Sequence, residues 1–357
     1  MDHSTVREYY GEVLGGTEDL KTNACCDAEA PPEHIRALLG DIHPDVSARF
    51  YGCGLVAPTA LEGLTVLDLG CGSGRDVYLL SRMVGETGQV IGVDMTEAQL
   101  TVARSALDWQ TERYGYAQPN VRFESGVIED LGALDVAPGS VDLIVSNCVV
   151  NLATDKLAVL RGAYEMLKPG GEVYFSDVYA DRRIPEALRR DPVLYGECLS
   201  GALYTRDFLS IAAKAGFAAP RRVSTRGLSV GDDAVQQKLG DIGFVSEVWR
   251  LFKQGGLETT EEDYGQRVVY RGGLLGEDAV CVLDEAHRFP KGVPVAVSGN
   301  TWTILQGSRY TAFFDFLESD GTHRGGFNTE PASSAEGSAC APSSCAPSSC
   351  EPSTGCC

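Results

Sequence analysis

The sequence predicts an α/β fold built around a doubly wound, mainly parallel sheet. Apolar, β-branched runs alternate with helix-length amphipathic segments through the middle of the chain, a pattern typical of a parallel sheet covered on both faces. A glycine-rich turn follows the first of these runs, at the position where such sheets bind ligands. With 357 residues, of which 43% are hydrophobic, the chain is long and apolar enough to bury a substantial core.

The predicted strands are five short apolar runs. They are TVLDLG at 65–70, QVIGVDM at 89–95, VRFESG at 121–126, VDLIVSN at 141–147 and GEVYFSDVY at 171–179. The helix after the second strand is expected to begin with Thr96 as its N-cap. LKPGG at 167–171 is expected to close a helix and turn into the fifth strand, because proline and glycine do not continue a helix.

The pattern changes after about residue 180. DPVLYGECLSGAL and TRDFLSIAAKAGF indicate helices, while VSEVWRLFK at 245–253 and QRVVYRGG at 266–273 alternate as half-buried strands do. The predicted division is an N-terminal cysteine-bearing arm and cap at 1–60, a sheet domain at 61–180, a smaller C-terminal α+β region at 181–322 and a tail at 323–357. The tail is expected to be disordered, because it is rich in Ser, Pro and Ala and almost lacks large apolar residues.

Charge and hydropathy argue against several classes of partner. The net charge of −20 comes from 50 acidic and 30 basic residues without a basic block, so we expect no nucleic acid partner. The first residues lack the features of a signal peptide, and no segment approaches the ~20 apolar residues of a membrane span. We therefore expect a cytoplasmic protein without a membrane partner. In that compartment twelve cysteines indicate metal, metalloid or redox chemistry, unless several are simply small buried side chains.

The turn VLDLGCGSGRD at 66–76 is the most informative local motif. Its three glycines are Gly70, Gly72 and Gly74. The dinucleotide fingerprint is not met, because Arg75 stands where a third Gly or Ala is needed. A loop of this form, with Asp68 two residues before it, suits a ligand with a charged amino-acid portion and no pyrophosphate, such as S-adenosylmethionine. Asp68 is expected to lie near the ammonium group of that ligand.

Five further positions extend this predicted cofactor site along the carboxyl edge of the sheet. Asp94 ends the second strand about 20 residues later, where a carboxylate meets a ribose diol, and Met95 follows it. Ile128 and Glu129 follow the third strand and could hold adenine, and Asn147 ends the fourth strand. Together these features predict a class I S-adenosylmethionine-dependent methyltransferase fold, which is Rossmann-like. The fold does not name the methyl acceptor.

Cysteines are the candidates for binding that acceptor. No histidine lies in a motif that places it at the cofactor, so no general base is evident. Cys25 and Cys53 precede the sheet, and Cys198 follows its fifth strand, where thiolates could hold a thiophilic acceptor. Cys71 and Cys148 are expected to fill small packed spaces.

Three other groups of cysteines lie outside this predicted site. Cys26 could substitute for Cys25, and Cys281 lies in an apolar run and is expected to be buried. The tail cysteines are Cys340, Cys345, Cys350, Cys356 and Cys357. They either capture the thiophilic acceptor or supply resolving thiols, or they belong to an appendage without function.

Seven segments, taken in order, resemble the arsenite S-adenosylmethionine methyltransferase family. They are TNACC, RFYGCGLV, VLDLGCGSGRD, SNCVVNL, FSDVY, GECLSGALY and GDIGFVSEVWRLFK, and the match runs from YYGEVL at 9–14 to about residue 316. The resemblance implies methylation of trivalent arsenic bound by cysteine thiolates, with glutathione or thioredoxin as the thiol reductant. The substrate would be arsenite or thiol-conjugated As(III), with cofactor binding in 61–180, arsenic binding in 181–322, and a monomeric enzyme.

The resemblance also assigns the cysteines. The family's first, second and third cysteines match Cys25 in TNAC, Cys53 in YGCG and Cys198 in GECL. The expected position of the fourth, in GDIGF, holds Ile242. Three thiolates suffice for pyramidal trivalent arsenic, so Cys25, Cys53 and Cys198 are the predicted ligands and catalytic residues.

Three alternatives stay open. A methyltransferase lacking the fourth thiol could prefer methylarsenite or organic trivalent arsenicals, which need only two thiolates. A protein could instead sequester thiophilic metal ions or metalloids through its tail and keep a vestigial enzyme domain, although the intact Asp68, Gly70, Gly72 and Asp94 argue against this. A conventional small-molecule or lipid C-methyltransferase would give the cysteine-bearing motifs no purpose.

Overall fold

The computed structural model of the chain describes residues 6–7, 9–10 and 31–327. Within these residues the main sheet contains eight strands. They are β1 (Thr65–Leu69), β2 (Gln89–Asp94), β3 (Val121–Ser125), β4 (Val141–Asn147), β5 (Leu167–Ala180), β6 (Leu203–Tyr204), β7 (Arg221–Gly227) and β8 (Phe244–Phe252). The order is β3-β2-β1-β4-β5-β8-β7, with β6 beside β5. Strands β1 to β5 are parallel and β8 is antiparallel to both its neighbours, which confirms the mainly parallel sheet.

Helices cover both faces of this sheet. They are α1 (Glu33–Leu39), α2 (Pro44–Ser47), α3 (Arg75–Val84), α4 (Glu97–Ser105), α5 (Leu107–Tyr114), α6 (Lys156–Met166), α7 (Glu186–Arg189), α8 (Pro192–Gly196), α9 (Thr205–Ala215), α10 (Asp233–Leu239) and α11 (Gly299–Gly307). Because side chains alternate along a strand, Val66 of β1 lies in the same apolar cluster as Leu80 of α3, while the next residue, Leu67, lies in the cluster that contains Leu160 of α6 and Phe208 of α9. The doubly wound arrangement follows from this alternation.

The C-terminal part of the described chain adds two small sheets. They contain β9 (Arg267–Tyr270), β10 (Val280–Val282), β11 (Arg288–Pro290), β12 (Pro294–Ala296) and β13 (Phe314–Leu317), in the orders β12-β9-β13 and β10-β11. A buried ion cluster joins them to the main sheet. Glu172 of β5 accepts from Arg250 of β8 at 3.0 Å and from Arg309 at 2.7 Å. Breaking one partner would leave an uncompensated buried charge, so this cluster holds the C-terminal part in place.

The main sheet continues beyond residue 180, where the sequence predicted a domain boundary. Strand β8 pairs with β5 along nine registered residue pairs, so part of the predicted 181–322 region belongs to the same sheet. The prediction that VSEVWRLFK is half-buried is wrong, because β8 lies between two neighbours and is buried along almost its whole length. Its polar residues are paired inside: Glu247 accepts from Trp249 Nε1 at 3.0 Å and from Arg222 at 3.0 Å.

Two local predictions need correction, and a third is confirmed. LKPGG is not a simple turn: α6 ends at Met166, and β5 begins at Leu167, which pairs with Val141 of β4. The backbone of Gly170 and Gly171 then pairs with that of Lys253. The helix predicted over DPVLYGECLSGAL is confined to Pro192–Gly196. Thr96 does occupy the N-cap of α4, but its side chain makes no capping hydrogen bond.

No helix in the described part of the chain has the length and apolar character needed to cross a membrane.

Candidate active site

A pocket enclosing about 930 Å³ of space, part of it open to solvent, lies at the carboxyl ends of β1, β2 and β4. Eight of the nine predicted cofactor residues line it. They are Asp68, Gly70, Gly72, Asp94, Met95, Ile128, Glu129 and Asn147. Parallel strands bring their carboxyl ends to one edge of a sheet, so residues far apart in sequence meet here.

The glycine loop shapes one wall of the pocket. Gly72 has a φ of +54°, and no atom lies within 4 Å of the position that a Cβ would occupy. Its N–H donates to Asp94 Oδ2 at 2.9 Å, so the backbone itself borders the ligand space. Gly74 is different: as the N-cap of α3 it has a φ of +90°, and its missing Cβ faces Phe123 and Ala103 at 3.0–3.2 Å. Its role is close packing of the helix, so the prediction that Gly74 contacts the cofactor is not supported by its position.

Buried carboxylates give the pocket its charge. Burial raises the pKa of Asp68 well above its ordinary value, and the neighbouring carboxylates Asp76 and Asp94 raise it further. Burial also raises the pKa of Asp94, although hydrogen bonds from the backbone N–H groups of Thr96 and Gly72 act to lower it. A positively charged ligand would relieve this repulsion, so the residues present fit the ammonium and sulfonium groups of S-adenosylmethionine.

The side-chain amide of Asn147 forms hydrogen bonds with other residues of the protein. Its Nδ2 donates to the carbonyl of Gly54 at 2.7 Å and to Asp76 Oδ2 at 2.9 Å, while its Oδ1 accepts from the N–H groups of Cys53 and Gly54 at 2.9 and 3.1 Å. Asn147 therefore ties the segment that carries Cys53 to α3. Direct contact between Asn147 and the cofactor stays a prediction.

The raised pKa of Asp68 predicts that affinity for S-adenosylmethionine depends on pH. An ionised carboxylate attracts the ligand's ammonium group, and a protonated one does not. Affinity should therefore fall as pH is lowered through the pKa of Asp68, and the fall should begin at a higher pH than for an ordinary aspartate. Calorimetric titration of the wild type and Asp68→Asn across pH checks this, since the variant should bind weakly with a much flatter profile. An equally steep profile in Asp68→Asn would assign the effect to another group.

Three cysteines meet at the inner side of the pocket. Cys53 and Cys148 form a disulfide with a Cα–Cα distance of 5.5 Å, although 95 residues separate them in sequence. Cys198 donates its thiol hydrogen to the carbonyl oxygen of Cys148 at 3.3 Å. The exposed fractions are only 1%, 3% and 0%, and Cys148 also lines the cofactor pocket. The prediction that Cys148 merely fills packed space is therefore wrong, and Cys53 is here half of a disulfide rather than a thiolate.

The backbone at two of these cysteines is strained. Cys148 and Cys198 have φ angles of +62° and +60°, in the left-handed region that residues other than glycine rarely adopt. Such a conformation costs about 1 to 3 kcal/mol and persists only where surrounding contacts impose it. Here the N–H of Cys148 donates to Ser176 O at 2.9 Å, and that of Cys198 donates to Tyr195 O at 3.0 Å. Strain at two neighbouring cysteines indicates a functional site.

Asp177 is a second feature that the sequence did not reveal. One of its carboxylate oxygens lies within 4.8 Å of the sulfur atoms of Cys53 and Cys148. Its oxygens accept hydrogen bonds from the N–H and Nδ2 of Asn151 at 2.9 and 2.7 Å. The sequence did contain one indication of a functional role for Asp177, since it is an acidic residue inside the apolar strand FSDVY.

Aromatic residues from the start of the chain reach the cysteine site. The hydroxyl of Tyr10 donates to the carbonyl of Gly196 at 2.7 Å and lies 3.9 Å from the sulfur of Cys198. Tyr9 donates to Glu197 at 2.8 Å. The described N-terminal residues therefore hold the loop that carries Cys198.

Of the remaining cysteines and Ile242, some lie in the core or at the pocket and others lie outside the described residues. Cys281 is buried in β10, as predicted, and Cys71 lines the pocket. Ile242 is partly buried and packs against the apolar cluster that contains Cys198. The predicted ligand Cys25, its neighbour Cys26 and the tail cysteines lie outside the described residues.

Comparisons with known proteins agree with this architecture. Residues 60–216 match the family described as a methyltransferase domain, and residues 264–357 match the arsenite methyltransferase C-terminal domain. The arsenite methyltransferase of Aquipseudomonas alcaligenes is 54% identical over 325 residues, covering 91% of this chain and 93% of that protein. That of Rattus norvegicus is 46% identical over 316 residues, covering 88% and 84%.

A solved structure gives the same result. The crystal structure of an arsenic (III) S-adenosylmethionine methyltransferase from Chlamydomonas reinhardtii superposes with a TM-score of 0.80 at 45% identity, covering 84% of this chain and 100% of that one. The predicted class I S-adenosylmethionine-dependent methyltransferase fold is thereby confirmed. From its fold, its sequence and its site, the chain belongs to the arsenite methyltransferase family.

Proposed function

We propose that this protein transfers methyl groups from S-adenosylmethionine to trivalent arsenic held by cysteine thiolates. The observation that carries the proposal is the meeting of Cys53, Cys148 and Cys198 beside a pocket whose residues fit the cofactor. The activity named for the similar proteins supports it. A protein that only sequestered thiophilic metal ions would have no use for the cofactor pocket.

The pocket residues and the cysteines would have different roles in the reaction. When bound, S-adenosylmethionine supplies a methyl group on a positively charged sulfur. Asp68, Gly72 and Asp94 would hold it at the carboxyl edge of the sheet. Thiolates bind trivalent arsenic pyramidally and leave its lone pair free, so no general base is needed. Catalysis would then come largely from positioning, which contributes up to ~7 to 11 kcal/mol in well-oriented systems.

The geometry favours a different ligand set from the one that the sequence predicted. Cys148 is bonded to Cys53, accepts a hydrogen bond from Cys198 and borders the cofactor pocket, so after reduction it would supply a thiol that position 242 lacks. We infer that Cys198 holds the arsenic together with Cys53 and Cys148, once the disulfide between these two is reduced. Ile242 would then be a packing residue, and Cys25 would serve as a further ligand or as a resolving thiol.

A thiol reductant forms part of this proposal. The Cys53–Cys148 disulfide must open to two thiols before both sulfur atoms can bind arsenic. Glutathione or thioredoxin would supply the two electrons and become oxidised to a disulfide. A cytoplasmic location, in which such reductants are abundant, and a monomeric state stay predictions.

Product speciation tests the class of reaction and the role of position 242 together. The protein is incubated with S-adenosylmethionine, a thiol reductant and either arsenite or methylarsenite, and the methylated arsenicals are separated by chromatography. Methylated arsenite is the expected product, and Ile242→Cys should change its rate by no more than about twofold, because three other thiols already meet at the site.

The contrary outcomes are distinct. If Ile242→Cys accelerated arsenite methylation while leaving methylarsenite turnover unchanged, the missing thiol would limit arsenite binding and methylarsenite would be the preferred substrate. Failure to methylate either arsenical, with S-adenosylmethionine still bound, would exclude the proposed acceptor.

A further inference from the structure

The buried Cys53–Cys148 disulfide has an acidic side chain beside it for which the methyl-transfer reaction gives no role. We propose that Asp177 is the proton-transfer residue for the reductive opening of this disulfide by a dithiol. The inference deepens the proposed function, because opening the disulfide is the step that releases two thiols for arsenic. Its test, however, requires neither arsenic nor S-adenosylmethionine.

The geometry brings the acid and the disulfide together in a closed space. A carboxylate oxygen of Asp177 and the two sulfur atoms all lie within 4.8 Å of one another. Asp177 is 1% exposed, so bulk water cannot easily reach it. The hydrogen bonds from Asn151 and from the N–H of Val178 fix the carboxylate in this position.

A local proton donor is needed because the leaving group is buried. Cys148 borders the pocket, whereas Cys53 does not, so an incoming thiolate meets Cys148 first and displaces the sulfur of Cys53. A thiolate left in that apolar surrounding would carry an uncompensated charge at a cost of several kcal/mol. Within the described residues, Ser176 contacts the Cys53 sulfur at 3.5 Å, but its hydroxyl is a far weaker acid than a carboxyl group. Asp177 is the acid that the structure supplies.

The step balances in atoms and electrons. One thiolate of the dithiol attacks Cys148 and forms a mixed disulfide, the Cys53–Cys148 bond breaks, and the Cys53 sulfur takes the proton of Asp177. The Asp177 carboxylate then accepts the proton of the second thiol, which attacks the mixed disulfide and releases Cys148 to be protonated from solvent. The dithiol is oxidised to a disulfide, the protein disulfide is reduced to two thiols, and Asp177 regains its proton.

Several charged groups face Asp177 and set when it holds a proton. Burial raises its pKa to about 7, against the lowering effect of the Val178 and Asn151 hydrogen bonds and of Lys156 on α6. Burial lowers the pKa of Lys156 to about 8. Across the sheet Asp177 is registered with Glu247 of β8, whose charge is paired with Arg222. Asp177 is therefore expected to be largely protonated below neutral pH and to lose its proton as pH rises through neutrality.

Reduction kinetics of the full-length oxidised protein test the proposal. Dithiothreitol is the probe, from about pH 5.5 to 9, with acid quenching, alkylation and mass mapping of the peptides that contain Cys53 and Cys148. Rates are divided by the dithiothreitol thiolate concentration. The corrected rate of the wild type should be constant at low pH and fall above about pH 7, and Asp177→Asn should be about 100-fold slower at low pH with a flat profile.

Asn151→Ala is the matched control, because it removes the hydrogen bond from the Asn151 side chain to Asp177 but keeps the backbone N–H bond and the carboxyl group. It should retain the fall with pH, displaced to higher pH because the side-chain bond lowers the pKa of Asp177. A flat corrected profile in the wild type would overturn the proposal without any variant. A corrected rate that still falls with pH in Asp177→Asn would also overturn it. The same holds if peptide mapping of the oxidised protein never finds Cys53 linked to Cys148.

Discussion

Cys198→Ser is expected to lower arsenite methylation by at least about 100-fold while leaving the affinity for S-adenosylmethionine unchanged. The serine hydroxyl is small enough for the buried site and can still donate to the carbonyl of Cys148, so the strained backbone at position 198 keeps its support. The lost property is the soft sulfur that binds arsenic. Cys198 does not line the cofactor pocket, which is why cofactor binding should not change.

Cys281→Ser provides the control for this prediction. Cys281 is equally buried, but it lies in β10 of the C-terminal part, within a different apolar cluster. Its replacement should lower the free energy of unfolding and leave methylation unaffected. Turnover is measured by chromatography of the arsenicals, and cofactor affinity by calorimetry. Near-normal turnover in Cys198→Ser would remove the thiolate site from the mechanism.

The cofactor site could be predicted from the sequence because each of its parts is a local pattern. Asp68 and the glycines belong to one strand and turn, and Asp94 ends the next strand. The rule that parallel strands present their carboxyl ends at one edge then brings these segments together. Gly74 shows the limit of this reasoning, because sequence could not tell whether its missing side chain faces the ligand or the neighbouring helix and strand.

The cysteine site depended on contacts that no local pattern contains. Cys53 and Cys148 are 95 residues apart, and the SNCVV segment that carries Cys148 has the apolar composition of a packed turn. Asp177 lies within an apolar strand and faces the disulfide only because β4 ends beside it, at Asn147. The sequence motifs identified Cys198, but not the neighbour to which its thiol is hydrogen-bonded.

The burial of strand β8 was predicted wrongly for a different physical reason. Glu247 and Arg250 interrupt its apolar residues, and charged residues within a strand normally indicate that part of it faces solvent. Both residues are buried, since Arg250 is paired with Glu172 and Glu247 with Arg222. Pairing with partners from distant strands allows charged residues to occupy a buried strand, and sequence periodicity cannot detect those partners.

Gly72→Val is expected to weaken S-adenosylmethionine binding by at least about 100-fold, equivalent to ~2.7 kcal/mol. Gly72 has a φ of +54°, and its Cβ position opens into the pocket, so a side chain there would occupy the ligand's space. It would also move the backbone N–H that donates a hydrogen bond to Asp94. Calorimetric titration of the folded variant measures the loss. Turnover at saturating cofactor should recover in part, because the cysteine site is not altered.

Gly115→Val separates this effect from backbone strain. Gly115 caps the end of α5 in the left-handed conformation with a φ of +73°, and its Cβ position likewise has no atom within 4 Å, but it lies outside the pocket. Both variants place a β-branched residue at a positive φ at a similar cost, so thermal unfolding should shift similarly in the two. Only Gly72→Val should lose cofactor affinity. Equal affinity losses would mean that backbone strain alone disturbs the pocket, and the close approach of ligand and backbone at Gly72 would no longer be supported.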